Sequence, residues 1–292
     1  MSRMEQLDRA AARALLPRRA ETAAKWSFGR AMLLCGSECF SGAALLSAEA
    51  ALRSGAGLVQ LCSAPAVIAA ARVRLPEALL GELSGSDGES LSPPARQLLQ
   101  DGLERASALL FGCGAGLSRR ARELLALALD APLPLVLDAD GLNLLAERPE
   151  LLARRRAPTL LTPHAGEFCR LSGLTRQQLE ADPAGAALDF ARRHSVSLAL
   201  KGSATWLTDG VRLLQLDAPN SGMAKGGSGD VLAGLCAGLA AQGMELFSAA
   251  ALACWLHGEA GALARLAMGP RAMLPRDVLA ALPQAFLSLE QV

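Results

Sequence analysis

The chain has 292 residues, 51% of them hydrophobic, enough to bury a large core as one α/β domain or two smaller ones, and its composition excludes disorder. Its 29 Lys and Arg against 28 Asp and Glu give a net charge of +1, so no broad field favours nucleic acid or a membrane surface, and any anion must be met locally. Aromatic residues make up 3% with no Tyr, which disfavours base-stacking platforms and points to a small-molecule site.

In chain order, the opening MSRMEQLDRAAARALLPRRA carries Glu5 and Asp8 and lacks an apolar h-region. It reads as an amphipathic helix within a loosely attached extension, residues 1–24, rather than a secretory signal. Residues 25–292 form one domain. Strand-like apolar runs follow at Met32–Cys35, Leu58–Cys62, Leu109–Phe111, Leu135–Leu137, Thr159–Leu161 and Leu198–Leu200, each bounded by Gly, Pro, Asp or Ser. Between them, Ala43–Arg53, Pro94–Arg105, Arg119–Leu129 and Ala184–Arg193 have helical spacing. The alternation predicts an α/β fold with a mostly parallel central sheet, helices on both faces and ligands at the C-terminal strand ends. Gly81–Ser92, GELSGSDGESLS, reads as a loop. Thr205–Thr208 and Val211–Leu216 flank Asp209-Gly210, a two-residue hairpin signal that turns the end of the sheet antiparallel. The apolar runs Val231–Ala241 and Leu246–Leu256 fall short of the roughly 18 residues that span a bilayer, so a cytoplasmic protein is expected.

Polar residues collect after the strands: Gly36-Ser37, Gly112-Cys113-Gly114, Asp138-Ala139-Asp140, Thr162-Pro163-His164 and Lys201-Gly202-Ser203. The seven cysteines, at 35, 39, 62, 113, 169, 236 and 254, lie singly in apolar surroundings and read as reduced thiols, with nothing to support a thiol nucleophile. The most informative segment is NSGMAKGGSGD, Asn220–Asp230, which opens an apolar helix. Glycines 226, 227 and 229 let backbone amides face an anion, and the helix adds its positive dipole end. A carboxylate beside a phosphate cradle either caps the helix or handles a proton or a metal during phosphoryl chemistry, and at this point Asp230 keeps both readings. Gly234 and Gly238 leave a bare helix face that the following helix, Leu246–Leu263, can approach closely.

Five segments in this order, AALRSGAGLV (Ala50–Val59), DADGLNLLA (Asp138–Ala146), LTPHAGEF (Leu161–Phe168), LKGSAT (Leu200–Thr205) and GMAKGGSGDVLAGL (Gly222–Leu235), resemble the NAD(P)H-hydrate dehydratases of the ribokinase-like superfamily. The resemblance runs from about Lys25 to Leu282. It implies repair of hydrated NADH or NADPH, driven by ADP or ATP with Mg²⁺. In that reaction Asp230 takes the proton of the ring hydroxyl as the terminal phosphoryl group moves onto its oxygen, and phosphate then leaves. The resemblance assigns Ala43, Gly116 and His164 to the hydrated dinucleotide, Asp230 to the place between the two substrates, and Lys201, Gly202, Ser203, Ala204 and Thr205 with Gly226, Gly227 and Gly229 to the nucleotide. It also implies a homo-oligomer, a tetramer in many members, and an epimerase supplied on a separate chain, since nothing long enough to be that domain precedes Lys25.

Several residues keep two readings. His164 is a ligand to amide or ribose, or a helix cap; Lys201 serves a phosphate or its neighbourhood, or is a solvated edge lysine. Glu167 belongs to the Mg²⁺ shell or to the acidic first turn of a helix. Asp138 and Asp140 act through water or cap the helix Gly141–Ala146, with capping preferred, and His194 and His257 are structural. Two residues depart from the family pattern. Cys113 stands in place of Pro in the GPGLG turn and softens the loop at Gly116, while Lys225 stands in place of a small polar residue and either tightens nucleotide binding or points to solvent. The competing readings are a vitamin-precursor kinase of the same superfamily and a catalytically silent nucleotide sensor.

Overall fold

The structure, a computed structural model, describes residues 4–85 and 89–291. Its centre is a ten-stranded sheet: β1 (Met4–Gln6), β2 (Arg30–Leu34), β3 (Leu58–Ser63), β4 (Leu79–Glu82), β5 (Ala108–Phe111), β6 (Leu135–Leu137), β7 (Thr159–Leu161), β8 (Ser197–Leu200), β9 (Ala204–Thr208) and β10 (Leu213–Asp217). The spatial order is β1-β10-β9-β8-β7-β6-β5-β2-β3-β4. Strands β2 to β8 pair in parallel, as do β1 and β10, and β9 alone runs against both of its neighbours. The inner strands are buried on both faces, which is why they read as continuous apolar runs rather than as alternation.

One face is covered by the helices Ser41–Arg53, Pro65–Arg74, Ser228–Ala241, Leu246–Ala272 and Pro275–Glu290, the other by Pro93–Arg105, Arg119–Asp130, Asp140–Glu147, Ala165–Ser172 and Pro183–His194. Local chemistry starts several of them. The Ser92 and Ser118 hydroxyls accept from Ala95 N and Ala121 N, and the Asp182 carboxylate accepts from Gly185 N just ahead of Pro183 at the first helical position.

The structure differs from the sequence expectations at five places. Two edge strands are added: β4 falls at the start of the stretch expected to be a loop, the remainder of which includes residues 86–88, outside the described residues. β1 pairs in parallel with β10, so the helix Arg9–Leu15 is preceded by a sheet strand instead of hanging loose. Asp209-Gly210 is part of a four-residue connection, 209–212, between paired Thr208 and Leu213, because the Asp209 carboxylate accepts from both Val211 N and Arg212 N.

The bare face of Gly234 and Gly238 meets a different helix from the one expected. A Cβ on Gly234 would lie 2.1 Å from Ser47 O and one on Gly238 2.0 Å from Ser54 Oγ, so the close partner is Ser41–Arg53. The turn of Ala50–Val59 lies at the opposite edge of the sheet from the C-terminal strand ends. There a Cβ on Gly57 would meet Lys25 O at 1.6 Å, so the turn requires glycine for this close packing. The helix Leu246–Ala272, 27 residues with a kink at Gly269-Pro270, is long and apolar enough to cross a bilayer, yet 72% of its most apolar window is buried inside the molecule.

Candidate active site

Parallel strands deliver their following residues to one edge, and the polar turns converge there. Lys201 N donates to Pro163 O (2.8 Å), which aligns His164 with Lys201 across the ends of β7 and β8. Lys201 Nζ lies 2.7 Å from Asp138 Oδ1, whose residue is 1% exposed. Burial works against the Lys201 ammonium, but Asp138 and Glu167 together hold its pKa above the usual value. Lys201 therefore has its anionic partner within the protein. Asp138 is an ion-pair member and not a helix cap: the helix begins at Asp140 after Ala139, whose φ is 51°, with no side chain capping it. Asp140 also turns away from capping, its Oδ2 accepting from Gly116 N at 2.8 Å.

The glycine loop sits opposite. Gly227, with φ 105°, is the helix N-cap, and no side chain caps the helix Ser228–Ala241, leaving its first-turn amides without a side-chain acceptor. A Cβ on Gly227 would meet Leu46 Cδ1 at 2.7 Å, so both conformation and space require glycine. Asn220 ties the loop to the long helix, accepting from Gly222 N and donating to Gly261 O. Lys225 lines the cavity wall and does not point freely to solvent: its ammonium donates to Arg271 O and Met273 O (2.8 and 2.7 Å) at the end of that helix.

Asp230 stands in the first turn, half-buried. Burial, then the like charge of Asp138, pushes its carboxyl up from 3.8 to about 6, partly offset by the Cys113 thiol, which donates to it, and by Lys201. Cys113 is wholly buried beside Cys35, and that thiol–thiol hydrogen bond together with burial drives its own pKa well up. Sequence reading treated Cys113 only as a softening of the turn; its place against Asp230 comes from a contact across 117 positions with no local signal.

A cavity of about 960 Å³ opens between the strand ends and the glycine loop. Of the expected nucleotide residues, Lys201, Gly202, Ser203, Thr205, Gly226, Gly227 and Gly229 line it and Ala204, the first residue of β9, does not. Asp138, His164, Glu167 and Asp230 line it as well. Ala43 and Gly116 lie outside the cavity wall: Gly114 packs on Ala43, and Gly116 faces Ser37. His164 is both exposed and a cap, its Nδ1 accepting from Gly166 N and Glu167 N while Glu167 Oε2 accepts from His164 N. With Nδ1 accepting, its neutral ring carries the proton on Nε2; burial and nearby Lys201 hold its pKa down. Glu167 is 6% exposed, and burial raises its pKa. His257, read as structural, also lines the cavity; burial pushes it down to about 4, so it enters the wall as a neutral ring hydrogen-bonded to the Ser228 backbone. His194 stays away from the cavity, stacked on Phe190.

A family model described as NAD(P)H-hydrate dehydratase matches residues 31–284. The bifunctional NAD(P)H-hydrate repair enzyme Nnr of Moorella thermoacetica is 37% identical over 282 residues, 96% of this chain and 53% of that protein. Its counterpart in Gloeobacter violaceus is 40% identical over 253 residues, 86% of this chain and 48% of that protein. The chain thus spans about half the length of the curated relatives it matches. Among solved structures, the ADP/ATP-dependent NAD(P)H-hydrate dehydratase of Bacillus subtilis, co-crystallised with ATP and Mg²⁺, superposes with a TM-score of 0.83 at 28% identity, covering 98% of each chain. A ribokinase-like superfamily protein of Enterococcus faecalis superposes at 0.85 with 27% identity, covering 98% of this chain and 96% of that one. The hydroxyethylthiazole kinase of Pyrococcus horikoshii, at 16% identity and a TM-score of 0.62, shares the fold alone; it covers 97% of this chain and 92% of that one.

Proposed function

The chain belongs to the NAD(P)H-hydrate dehydratase family, and from that membership and the geometry of the cavity we propose that it dehydrates hydrated NADH or NADPH at the expense of ADP or ATP. The observation that carries this reading is Asp230: a carboxylate raised to about 6, at the mouth of an uncapped glycine-rich helix start, facing a cavity large enough for polyphosphate and a second ligand.

The nucleotide's polyphosphate takes the amides of Gly226, Gly227 and Gly229, and Lys201–Thr205 border it. His164, neutral with its proton on Nε2 and 3.5 Å from Glu167 Oε1, and Asp230 meet the dinucleotide; the assignment of Ala43 and Gly116 to that ligand rests on family resemblance. The ring hydroxyl loses its proton to Asp230 as its oxygen forms a bond to the terminal phosphorus, and the bond from phosphorus to the departing nucleotide oxygen breaks. The ring nitrogen's lone pair then expels phosphate with the C–O bonding electrons, and loss of a proton from the adjacent carbon restores the double bond, so water is removed in two easy steps. With a pKa near 6 the base is mostly ionised at neutral pH and still strong enough to accept the proton. Mg²⁺ fits the acidic lining. Glu167 and Asp138 each give one carboxylate oxygen to a partner, His164 N and Lys201, and their other oxygens would help to hold the ion beside the phosphates, where it would neutralise charge on the transferring group.

Purified protein should consume hydrated NADH only with ADP or ATP and Mg²⁺ present, releasing one phosphate per dinucleotide; equal turnover without nucleotide overturns the coupled mechanism. Phosphorylation of a vitamin precursor with no action on hydrated NADH would favour the kinase reading. Running ADP and ATP side by side assigns the phosphoryl donor.

A further inference from the structure

We propose that Cys113, Asp138 and Asp230 form a binding site for a thiophilic divalent cation of the Zn²⁺ class, and that its occupation arrests the dehydratase reaction. One ligand atom from each residue lies within 4.8 Å of the other two. The arrangement is a product of topology. Phe111 and Leu137 are paired in register on adjacent parallel strands, which brings Cys113 and Asp138 to one edge, and the helix Ser228–Ala241 carries Asp230 onto them. Bond lengths of ~2.3 Å to sulfur and ~2.1 Å to oxygen place tetrahedral donors roughly 3.6 Å apart, so modest side-chain rotation converts this spacing into a bound cation with water as the fourth ligand.

Charge and donor type both select the cation. A thiolate and two carboxylates carry −3 and Lys201, on Asp138 Oδ1, supplies +1; a divalent cation brings the cluster to zero. Lys201 engages only one carboxylate oxygen of Asp138 by a hydrogen bond, which leaves Oδ2 for the cation. Mg²⁺ prefers six oxygen ligands and keeps its waters, so the sulfur donor discriminates against the ion that accompanies the nucleotide. Binding replaces the Cys113 S–H bond with a sulfur–metal bond and releases that proton to solvent, with no change in oxidation state. A carboxylate of Asp230 engaged by the cation cannot take a proton from the substrate. The inhibitory half rests on the dehydratase reading; the binding half does not.

The test uses nucleotide-free protein carrying Cys39→Ser, which removes the exposed thiol. Titration with Cd²⁺ alone should raise a thiolate-to-metal charge-transfer band that saturates at one equivalent, and calorimetry with Zn²⁺ in two buffers should show release of about one proton per cation. Adding Cys113→Ser should abolish the band and weaken Zn²⁺ binding at least about tenfold; Asp138→Asn should weaken binding similarly while the band survives. Zn²⁺ should inhibit turnover, and the Cys113→Ser variant should need at least about tenfold more for the same fractional loss of its own rate. A band that persists in Cys113→Ser, or none in the parent, overturns the site. Stoichiometric binding without inhibition overturns the arrest of turnover. If Cys113→Ser fails to fold, Asp230→Asn in the same Cd²⁺ titration takes its place, with undiminished affinity overturning the site. A protein inactive on hydrated NADH that still gives the one-equivalent band refutes the functional reading and upholds the site.

Discussion

Replacing Asp230 by Asn separates what this carboxylate does for catalysis from what it costs the fold. A rise from 3.8 to about 6 corresponds to about 3 kcal/mol of preference for the neutral acid in the folded state. Because the group faces an open cavity, solvent screening reduces this to about half. The sign follows from the folded value lying above the unfolded one. Below pH 3.8 the acid is neutral in both states and costs nothing; the penalty grows between 3.8 and about 6 and is fully present above that. Asn is neutral throughout and its carbonyl can still accept from Cys113, so Asp230→Asn should be more stable than the parent by about 1–2 kcal/mol at pH 8 and by nothing at pH 3.5. At about 2 °C per kcal/mol for a chain of this length, thermal scans should show a Tm rise of about 3 °C at pH 8. The same variant should bind nucleotide normally and lose at least about 100-fold in kcat, while the parent's rate falls as pH drops through about 6. A Tm difference that is independent of pH, or a near-normal kcat, refutes the reasoning: the first removes the buried charge, the second removes the base.

Lys201→Met should destabilise the protein by about 3–5 kcal/mol at neutral pH, measured by denaturant unfolding, because it strands the carboxylate of Asp138 in a nearly closed site; Lys201→Met with Asp138→Leu should recover most of that loss, and failure to recover would mean the pair is not what the lysine stabilises. Gly234→Ala places a methyl group 2.1 Å from Ser47 O, a backbone atom that cannot swing aside, so unfolding should show a loss of about 1–3 kcal/mol or more, and a neutral result would place the helix Ser41–Arg53 elsewhere. Lys225→Ala should leave nucleotide affinity within about twofold, since the ammonium holds Arg271 O and Met273 O, and should speed hydrogen exchange around Gly269–Leu274; a large loss of nucleotide affinity would put Lys225 on the phosphates.

What could be read in advance divides along a physical line. β6 and β7 were bounded to the residue because a strand buried on both faces must be a short apolar run between polar turns, and the glycine loop was legible because few other sequences leave a helix start open to an anion. β1 and β4, at the two sheet edges, have three and four residues, too few for any period to rise above background. Asp209-Gly210 was misread because the signal for a two-residue turn ignores what the aspartate can do: its carboxylate found two amides and pulled the turn open. At the site, each residue type was identified and its partner was not. Asp138 was assigned to the helix three residues away by the rule of local capping, whereas its partner is Lys201, 63 positions on. Asp140 and Gly116 meet across 24 positions. In a parallel sheet every strand end is adjacent to residues a whole βαβ unit away, so local rules fail most where function is assembled. The same geometry makes Cys113 consequential. A proline in that turn has no group to offer Asp230, whereas a buried thiol there both donates to the base and brings sulfur into a cluster of carboxylates, so one departure from the family's turn changes which ions this cavity can hold.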